Sequence, residues 1–91
     1  MKISIKTFGE LNEYLPRKIN LDLPKNSNIS SLLNVLKKYE DFNLKILENG
    51  WSQKFQILVL INGRNIQFMN GFKTSLKDKD IVSLIPPSGG G

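Results

Sequence analysis

One stretch of this 91-residue chain has apolar residues at helical spacing, and the segments before and after it in the sequence have the pattern of β-strands. This combination limits the chain to few folds. Four apolar residues have the i, i+3, i+4 and i+7 spacing of one helix face: Ile29, Leu32, Leu33 and Leu36. Ser27 or Asn28 can cap this helix, and we expect it to end near Asp41. Because one helix covers only one face of a sheet, the pattern predicts an α+β domain.

The segments before the helix have the two-residue period of β-strands. Residues 2–8 place Ile3, Ile5 and Thr7 on one face and Phe8 on the other. Residues 18–23 alternate in the same way, with Ile19, Leu21 and Leu23 inward. Residues 10–16 form a turn or short connection between these two strands. The chain therefore begins with a predicted hairpin.

The second half of the chain predicts further strands separated by turns. Residues 56–61 are almost continuously apolar, so we expect a buried central strand there. The other signals are a turn at Asn62-Gly63, a short return strand over 65–68, a turn at Asn70-Gly71, a tight polar turn over 76–80 and a last strand over 81–85. The span 41–54 gives no clear pattern.

The predicted order is therefore a hairpin, one helix and two or three further strands. When the last of these strands returns beside the first, the order is the β-grasp plan. We expect a mixed sheet of four to five strands packed on one main helix. In the last strand, Val82 and Leu84 face the core, which turns Ile85 outward, like Phe8.

The composition excludes most kinds of autonomous active site. The chain has no cysteine and no histidine, so it lacks a cysteine nucleophile, thiolate ligands and the commonest general base. We expect it to bind no metal and no cofactor of its own. No apolar run approaches the roughly 20 residues of a membrane span, and the first residues alternate like a strand. We expect a cytoplasmic protein.

The charge of the chain is positive but scattered along the sequence. Thirteen basic and eight acidic residues give a formal net charge of +5. The closest clusters are Lys37-Lys38 and Lys73, Lys77 and Lys79. A solvated surface is the favoured interpretation, and affinity for an acidic partner protein is the alternative. We expect no nucleic-acid binding, because no basic stripe is interleaved with aromatic residues.

The C-terminal sequence Pro86-Pro87-Ser88-Gly89-Gly90-Gly91 ends in a run of three glycines, which can contribute almost nothing to packing because it has no side chains. We therefore predict a folded domain over 1–87 and a flexible tail over 88–91. The two prolines hold the base of the tail extended, and glycine can enter a channel too narrow for a Cβ. The four residues after Pro87 would reach roughly 13 to 14 Å, at about 3.3 to 3.6 Å per residue. A disordered end without function is the other interpretation.

Several residues of both chain ends resemble a known family. They are Phe8-Gly9-Glu10-Leu11, Asn62-Gly63-Arg64, Gly71, Thr74, Leu76, Asp78, Asp80, Val82, Pro86-Pro87 and Gly90-Gly91. This set resembles the MoaD and ThiS sulfur carriers, which are ubiquitin-like β-grasp proteins, and it is most similar to the MoaD branch. Two positions depart from the pattern. Lys79 replaces the usual glycine of an Asp-Gly-Asp turn, and Gly89 stands where a side chain is commoner.

The resemblance implies a sulfur carrier that reacts at Gly91. In such proteins a separate adenylating enzyme, similar to ubiquitin-activating enzymes, uses ATP to form an acyl-adenylate on the terminal glycine. A sulfur donor then converts the adenylate to a thiocarboxylate. The MoaD branch further implies a MoaE-like large subunit of molybdopterin synthase, which receives the tail and builds the dithiolene of the molybdenum or tungsten cofactor. The carrier would have no autonomous active site.

The resemblance also implies an interface at the base of the tail. In a β-grasp sheet the first and last strands are neighbours, so Phe8 and Ile85 would form one exposed apolar patch. In MoaD-like proteins the matching positions contact the partner. We therefore predict a site made of Phe8, Ile85, Pro86, Pro87 and the glycines 89–91.

Two other functions fit the same sequence. A ubiquitin-like modifier would use the activated Gly91 to form an isopeptide bond with a lysine of another protein. A plain binding module would recruit a partner through its sheet and leave the tail idle. A ThiS-like role in thiazole synthesis is disfavoured, because such chains are usually shorter and do not typically carry the Pro86-Pro87 pair.

Overall fold

The computed structural model describes residues 1–13, 15–36, 38 and 57–86. Within this part of the chain, the β-strands and the α-helix are β1 (Lys2–Thr7), β2 (Lys18–Asp22), α1 (Ile29–Leu36), β3 (Leu58–Ile61), β4 (Arg64–Asn65) and β5 (Ile81–Ile85). Short 3₁₀ helices span Gly9–Glu13, Ile66–Phe68 and Gly71–Lys73. No helix of the described residues is long and apolar enough to cross a membrane.

The five strands form one mixed sheet in the order β2-β1-β5-β3-β4. β1 and β5 are parallel, and every other neighbouring pair is antiparallel. The first and last strands are therefore neighbours, as the sequence predicts. The inward-facing residues Ile3 and Ile5 of β1 and Val82 and Leu84 of β5 are all buried. This arrangement confirms the predicted mixed sheet with one helix on one face.

The helix α1 begins where the sequence predicts. The Asn28 Oδ1 accepts a hydrogen bond from the Ser31 N–H at 2.9 Å, so Asn28, not Ser27, is the cap. All four residues of the predicted apolar stripe are buried. The Ile29 N–H donates to the Thr74 carbonyl at 3.1 Å, which joins the start of the helix to the chain before β5. The described helix ends at Leu36, and the predicted end near Asp41 lies outside the described residues.

The strand predicted over 56–61 is confirmed at Leu58–Ile61, but it is neither the central strand nor buried on both faces. β5 is the central strand, and β3 lies between β5 and the two-residue strand β4. β3 alternates between buried and accessible residues, and Leu58 is 42% exposed. The apolar run misleads because only one face of the sheet is covered by α1, so apolar residues on the other face are open to solvent.

Two connections also differ from the prediction. The expected return strand over 65–68 is a strand only at Arg64–Asn65 and continues as the 3₁₀ helix Ile66–Phe68. The Asn65 side chain causes this change, because its Oδ1 accepts from the Gln67 N–H at 2.8 Å and caps the helical turn. The connection after β1 contains the 3₁₀ helix Gly9–Glu13, and it buries Leu11 and Leu15.

The turn before β5 contains the residue that departs from the family pattern. Lys79 has φ = 71°, in the left-handed region that glycine adopts without steric cost. Its N–H donates to the Lys2 carbonyl at 2.7 Å, and the Lys2 N–H donates to Asp78 Oδ1 at 2.7 Å. The turn therefore keeps the backbone conformation of a glycine turn and carries the strain that the lysine side chain adds.

Candidate functional site

The base of the tail lies at the middle of the sheet, because β5 lies between β1 and β3. Leu58 of β3 is paired with Ile85, and Thr7 of β1 is paired with Leu84. One residue beyond Thr7, the Phe8 N–H donates to the Leu84 carbonyl at 3.2 Å, which keeps Phe8 beside the end of β5. Three neighbouring strand ends are thus held together where the tail begins.

An apolar row crosses these strand ends on the face away from α1. We call Phe8, Ile85 and Leu58 the apolar row. Phe8 is 44% exposed, Leu58 is 42% exposed and Ile85 is half-buried. The structure brings the predicted pair Phe8 and Ile85 together and places them outside the core. Their role as a partner interface stays a prediction.

Sequence reasoning missed Leu58 as a member of this row. The apolar run 56–61 predicts a buried strand, and a buried strand offers no residue for a surface site. The pairing of Leu58 with Ile85 extends the predicted two-residue patch to a third strand. Leu58, Val59, Leu60 and Ile61 are all apolar, so their side chains alternate in direction without any change in polarity. The exposure of Leu58 could therefore be predicted only from knowledge of which face of the sheet is open.

Gly9 fits closely against Pro86, the residue that follows β5. Its φ is +60°, and a Cβ built on Gly9 would lie 2.8 Å from Pro86 Cγ. That distance is well inside normal contact, so a side chain here would push against the proline ring. We call this contact the Gly9 notch. Glycine at position 9 therefore allows Pro86, which is half-buried, to pack against the turn after β1.

Partly buried hydrogen bonds hold the turn that carries the Gly9 notch. The buried Thr7 Oγ1 donates to the Pro16 carbonyl at 2.7 Å and accepts from Asn12 Nδ2 at 2.6 Å. The Thr7 N–H also donates to the Arg17 carbonyl at 3.0 Å. These bonds join both ends of the connection to β1. The position of Gly9 beside Pro86 is therefore set by the fold and not by the tail.

Four residues of the predicted site lie outside the described residues, among them Gly91, the residue predicted to react. The other three are Pro87, Gly89 and Gly90. Among the described residues, no three acidic, histidine or cysteine side chains form a group able to hold a metal ion. The described part of the site is an exposed apolar row beside Pro86, and it tests neither the predicted interface nor the prediction of Gly91 as the reacting residue.

Comparison with known proteins places the chain among β-grasp proteins. The sequence model of the ThiS family matches residues 5–91. The chain is 29% identical over 93 residues to small archaeal modifier protein 3 of Haloferax volcanii, with full coverage of both chains. These matches agree with the sequence resemblance.

Solved structures with the same fold include two of particular interest. The crystal structure of small archaeal modifier protein 1 from Haloferax volcanii has a TM-score of 0.82 at 21% identity, with full coverage of both chains. A chain of the protein-protein complex of subunits 1 and 2 of the molybdopterin-converting factor from Helicobacter pylori has a TM-score of 0.67 at 21% identity, again with full coverage. At these identities both comparisons show the β-grasp fold alone.

Proposed function

Because the chain belongs to the ThiS family of ubiquitin-like sulfur carriers and modifiers, we propose that it carries sulfur as a thiocarboxylate on Gly91. The proposal extends to the partner reaction, in which the sulfur is donated for molybdopterin synthesis. The observation that best supports it is the Gly9 notch, because it fixes Pro86 beside the apolar row. A partner that docks on the apolar row would meet the start of the tail in a constant position.

The chemistry follows from the properties of a terminal carboxylate. A C-terminal carboxyl has a pKa of about 3.3 to 3.7, so it is anionic and a poor electrophile at neutral pH. A carboxylate oxygen of Gly91 would attack the α-phosphorus of ATP on an adenylating enzyme, with release of pyrophosphate. A sulfur donor at the oxidation level of sulfide would then replace the adenylate, with release of AMP. The enzyme supplies the catalytic groups, since this chain has neither cysteine nor histidine.

The role in molybdopterin synthesis is supported by fold and by sequence signature. The Pro86-Pro87 pair and the Phe8-Gly9-Glu10-Leu11 segment resemble the MoaD branch. The same fold occurs in the two-subunit molybdopterin-converting factor of Helicobacter pylori. By analogy we propose a MoaE-like large subunit as the second partner, which would take the tail into its active site.

Protein conjugation is the second candidate function. Full-length similarity at 29% identity to small archaeal modifier protein 3 specifically favours it. A lysine of a target protein would attack the activated carbonyl of Gly91 and form an isopeptide bond. Both candidates need the same adenylated glycine, so they differ only in the nucleophile that follows.

Intact-protein mass spectrometry separates these functions. The full chain is incubated with ATP, an adenylating enzyme active on its own carrier, and a sulfur donor. An increase equal to the replacement of one oxygen by sulfur, located at Gly91, supports the carrier. Adducts that join Gly91 to lysines of added proteins support conjugation instead. No change in mass would contradict both.

A variant that lacks Gly90 and Gly91 is the matched control. It removes the reactive end but leaves every described contact of the fold in place. The variant should gain no sulfur and form no adduct, although its far-ultraviolet circular dichroism should be unchanged. If the shortened chain replaces the full chain in the cell without any loss of function, the protein is a binding module with an idle tail.

A further inference from the structure

Two lysines face each other directly on the open side of the sheet. Lys6 of β1 and Lys18 of β2 are partners in the antiparallel register, and both are exposed. Like charges in directly opposed positions of a sheet are destabilising. The fold therefore retains a pair that weakens it, and this pair lies near the end of β1 that leads into Phe8.

A third cation lies with this pair. Arg17 immediately precedes β2, and with Lys6, Lys18 and Phe8 it lines a surface cavity of about 290 Å³. We call Lys6, Arg17 and Lys18 the basic corner. Within the set of side chains that the structure describes, no carboxylate forms an ion pair with any of the three. The side chains of Glu10 and Glu13 are outside that set.

The opposite end of the same two strands is arranged differently. There Lys2 is paired with Asp22, so a cation faces an anion. Asp22 also receives the N-terminal ammonium group of Met1 at 3.3 Å. Among the described side chains of the β1-β2 hairpin, the cations without an ion-pair partner at the end next to the apolar row are therefore Lys6, Arg17 and Lys18.

We propose that the basic corner docks against a rim of carboxylates on the adenylating enzyme, beside the part of that enzyme that would contact Phe8. This inference rests on the proposed function and identifies the charge of the partner surface. Complementary rim charges steer diffusional encounter and fix the orientation of docking. The tail begins at the adjacent Gly9 notch, so correct orientation at this corner would aim the tail at the nucleotide site.

Charge reversal tests the proposal without a change in the local fold. The double variant Lys6→Glu/Lys18→Glu keeps a like-charge pair in the same register, so its thermal unfolding should match that of the wild type. The matched control Lys25→Glu/Lys73→Glu removes the same charge from exposed positions outside the basic corner. Each chain serves as the substrate of an adenylating enzyme in ATP-pyrophosphate exchange, at low and at high salt.

The expected result is a KM about tenfold higher for Lys6→Glu/Lys18→Glu at low salt, with kcat unchanged. The difference should shrink as salt rises, because added ions screen exposed charges. The control variant should keep the KM of the wild type. An equal rise in KM for both variants, or a rise that salt does not affect, would overturn the basic corner as a docking surface.

Three further outcomes are informative. If the wild-type chain supports exchange and Lys6→Glu/Lys18→Glu supports it equally well, the inference fails while the proposed function stands. If the wild-type chain supports no exchange with an enzyme that is active on its own carrier, the proposed function fails and the inference fails with it. A single-stranded RNA that binds the wild type and not Lys6→Glu/Lys18→Glu would also overturn the assignment to an acidic protein.

Discussion

At the scale of single residues, the backbone conformation shows where glycine is required and where it is absent. Gly9 and Gly71 have nearly the same φ, +60° and +58°. Gly9 faces Pro86, whereas nothing lies within 4 Å of a Cβ built on Gly71. Lys79 adopts the same region of φ with a full side chain. These three positions allow conformational strain and steric contact to be measured separately.

The first prediction concerns the Gly9 notch. Gly71→Ala should lower the free energy of unfolding by about 1 kcal/mol, because alanine is strained at positive φ. Gly9→Ala should lower it by at least about 2 kcal/mol, because the added Cβ also pushes against Pro86. Urea unfolding of both variants measures the difference. Equal losses would show that the contact with Pro86 has no energetic weight.

The second prediction concerns the strained turn. Lys79→Gly should raise the free energy of unfolding by about 0.5 to 1 kcal/mol, because relief of left-handed strain exceeds the added chain entropy of glycine. Lys77→Gly is the control from the same turn, since Lys77 has no positive φ. That variant should lose about 0.5 to 1 kcal/mol. Destabilisation by both substitutions would contradict strain at Lys79.

At the scale of elements, β5 connects the hairpin to the rest of the sheet. It pairs with β1 on one side and with β3 on the other, and its inward residues Val82 and Leu84 are fully buried. Its outward residue Ile85 lies between Phe8 and Leu58. The strand that closes the core therefore also organises the apolar row, and it leads directly into Pro86.

The third prediction tests the apolar row as an interface. Phe8→Asp should weaken binding of the adenylating enzyme or the large subunit by about 1 to 2 kcal/mol, because it puts a charge into an apolar contact. The fold should stay intact, since Phe8 is largely outside the core. Calorimetric titration measures the affinity. Phe68→Asp is the control, because Phe68 is 84% exposed and belongs to the 3₁₀ helix Ile66–Phe68, not to the apolar row.

Three results with these two variants would contradict the prediction that the apolar row is an interface. Unfolding of Phe8→Asp would show that Phe8 belongs to the core and that its face is wrongly assigned. If Phe68→Asp lost as much affinity for the partner as Phe8→Asp, the interface would not be specific to the apolar row. The partner would then bind elsewhere or contact exposed aromatic residues in general. Unchanged affinity in Phe8→Asp, with the fold intact, would remove the apolar row from the binding surface.

At the scale of the whole molecule, the turn before β5 is tied to the start of the chain. Asp78 and Lys2 are 76 positions apart in the sequence, and the Lys2 N–H donates to the Asp78 carboxylate. This hydrogen bond lowers the pKa of Asp78 below its ordinary value of 3.8, and the positive charges of Met1, Lys79 and Lys2 act in the same direction. The contact stabilises the ionised form.

The fourth prediction is the resulting dependence of stability on pH. A carboxyl whose pKa is lower in the folded state stabilises the fold above its unfolded pKa, and this contribution is lost as pH falls through the folded pKa. Asp78→Asn keeps an oxygen that can accept from Lys2 but removes the titration. The stability advantage of the wild type should therefore fall as pH decreases below about 4. Urea unfolding at several pH values checks this, and parallel curves for the two proteins would contradict it.

Local pattern was a sufficient guide to the elements and to the direction of most side chains. The helix stripe and the outward direction of Phe8 and Ile85 follow from periods of a few residues. The cap was limited to Ser27 or Asn28, and the structure decided for Asn28. The β-grasp order followed from the succession of elements. Leu58 was not predicted, because its exposure depends on which face of the sheet the single helix covers.

The sequence alone determined that the described residues form a mixed sheet packed on the helix α1, and that the chain has no histidine or cysteine for catalysis. Only the tertiary structure decided that β5 is central, that Gly9 meets Pro86 and that Lys6, Arg17 and Lys18 form one corner. The physical reason is that these features depend on strand register and on packing between residues far apart in the chain. Sequence periodicity reports the face of a residue, but it does not report its neighbour on the next strand.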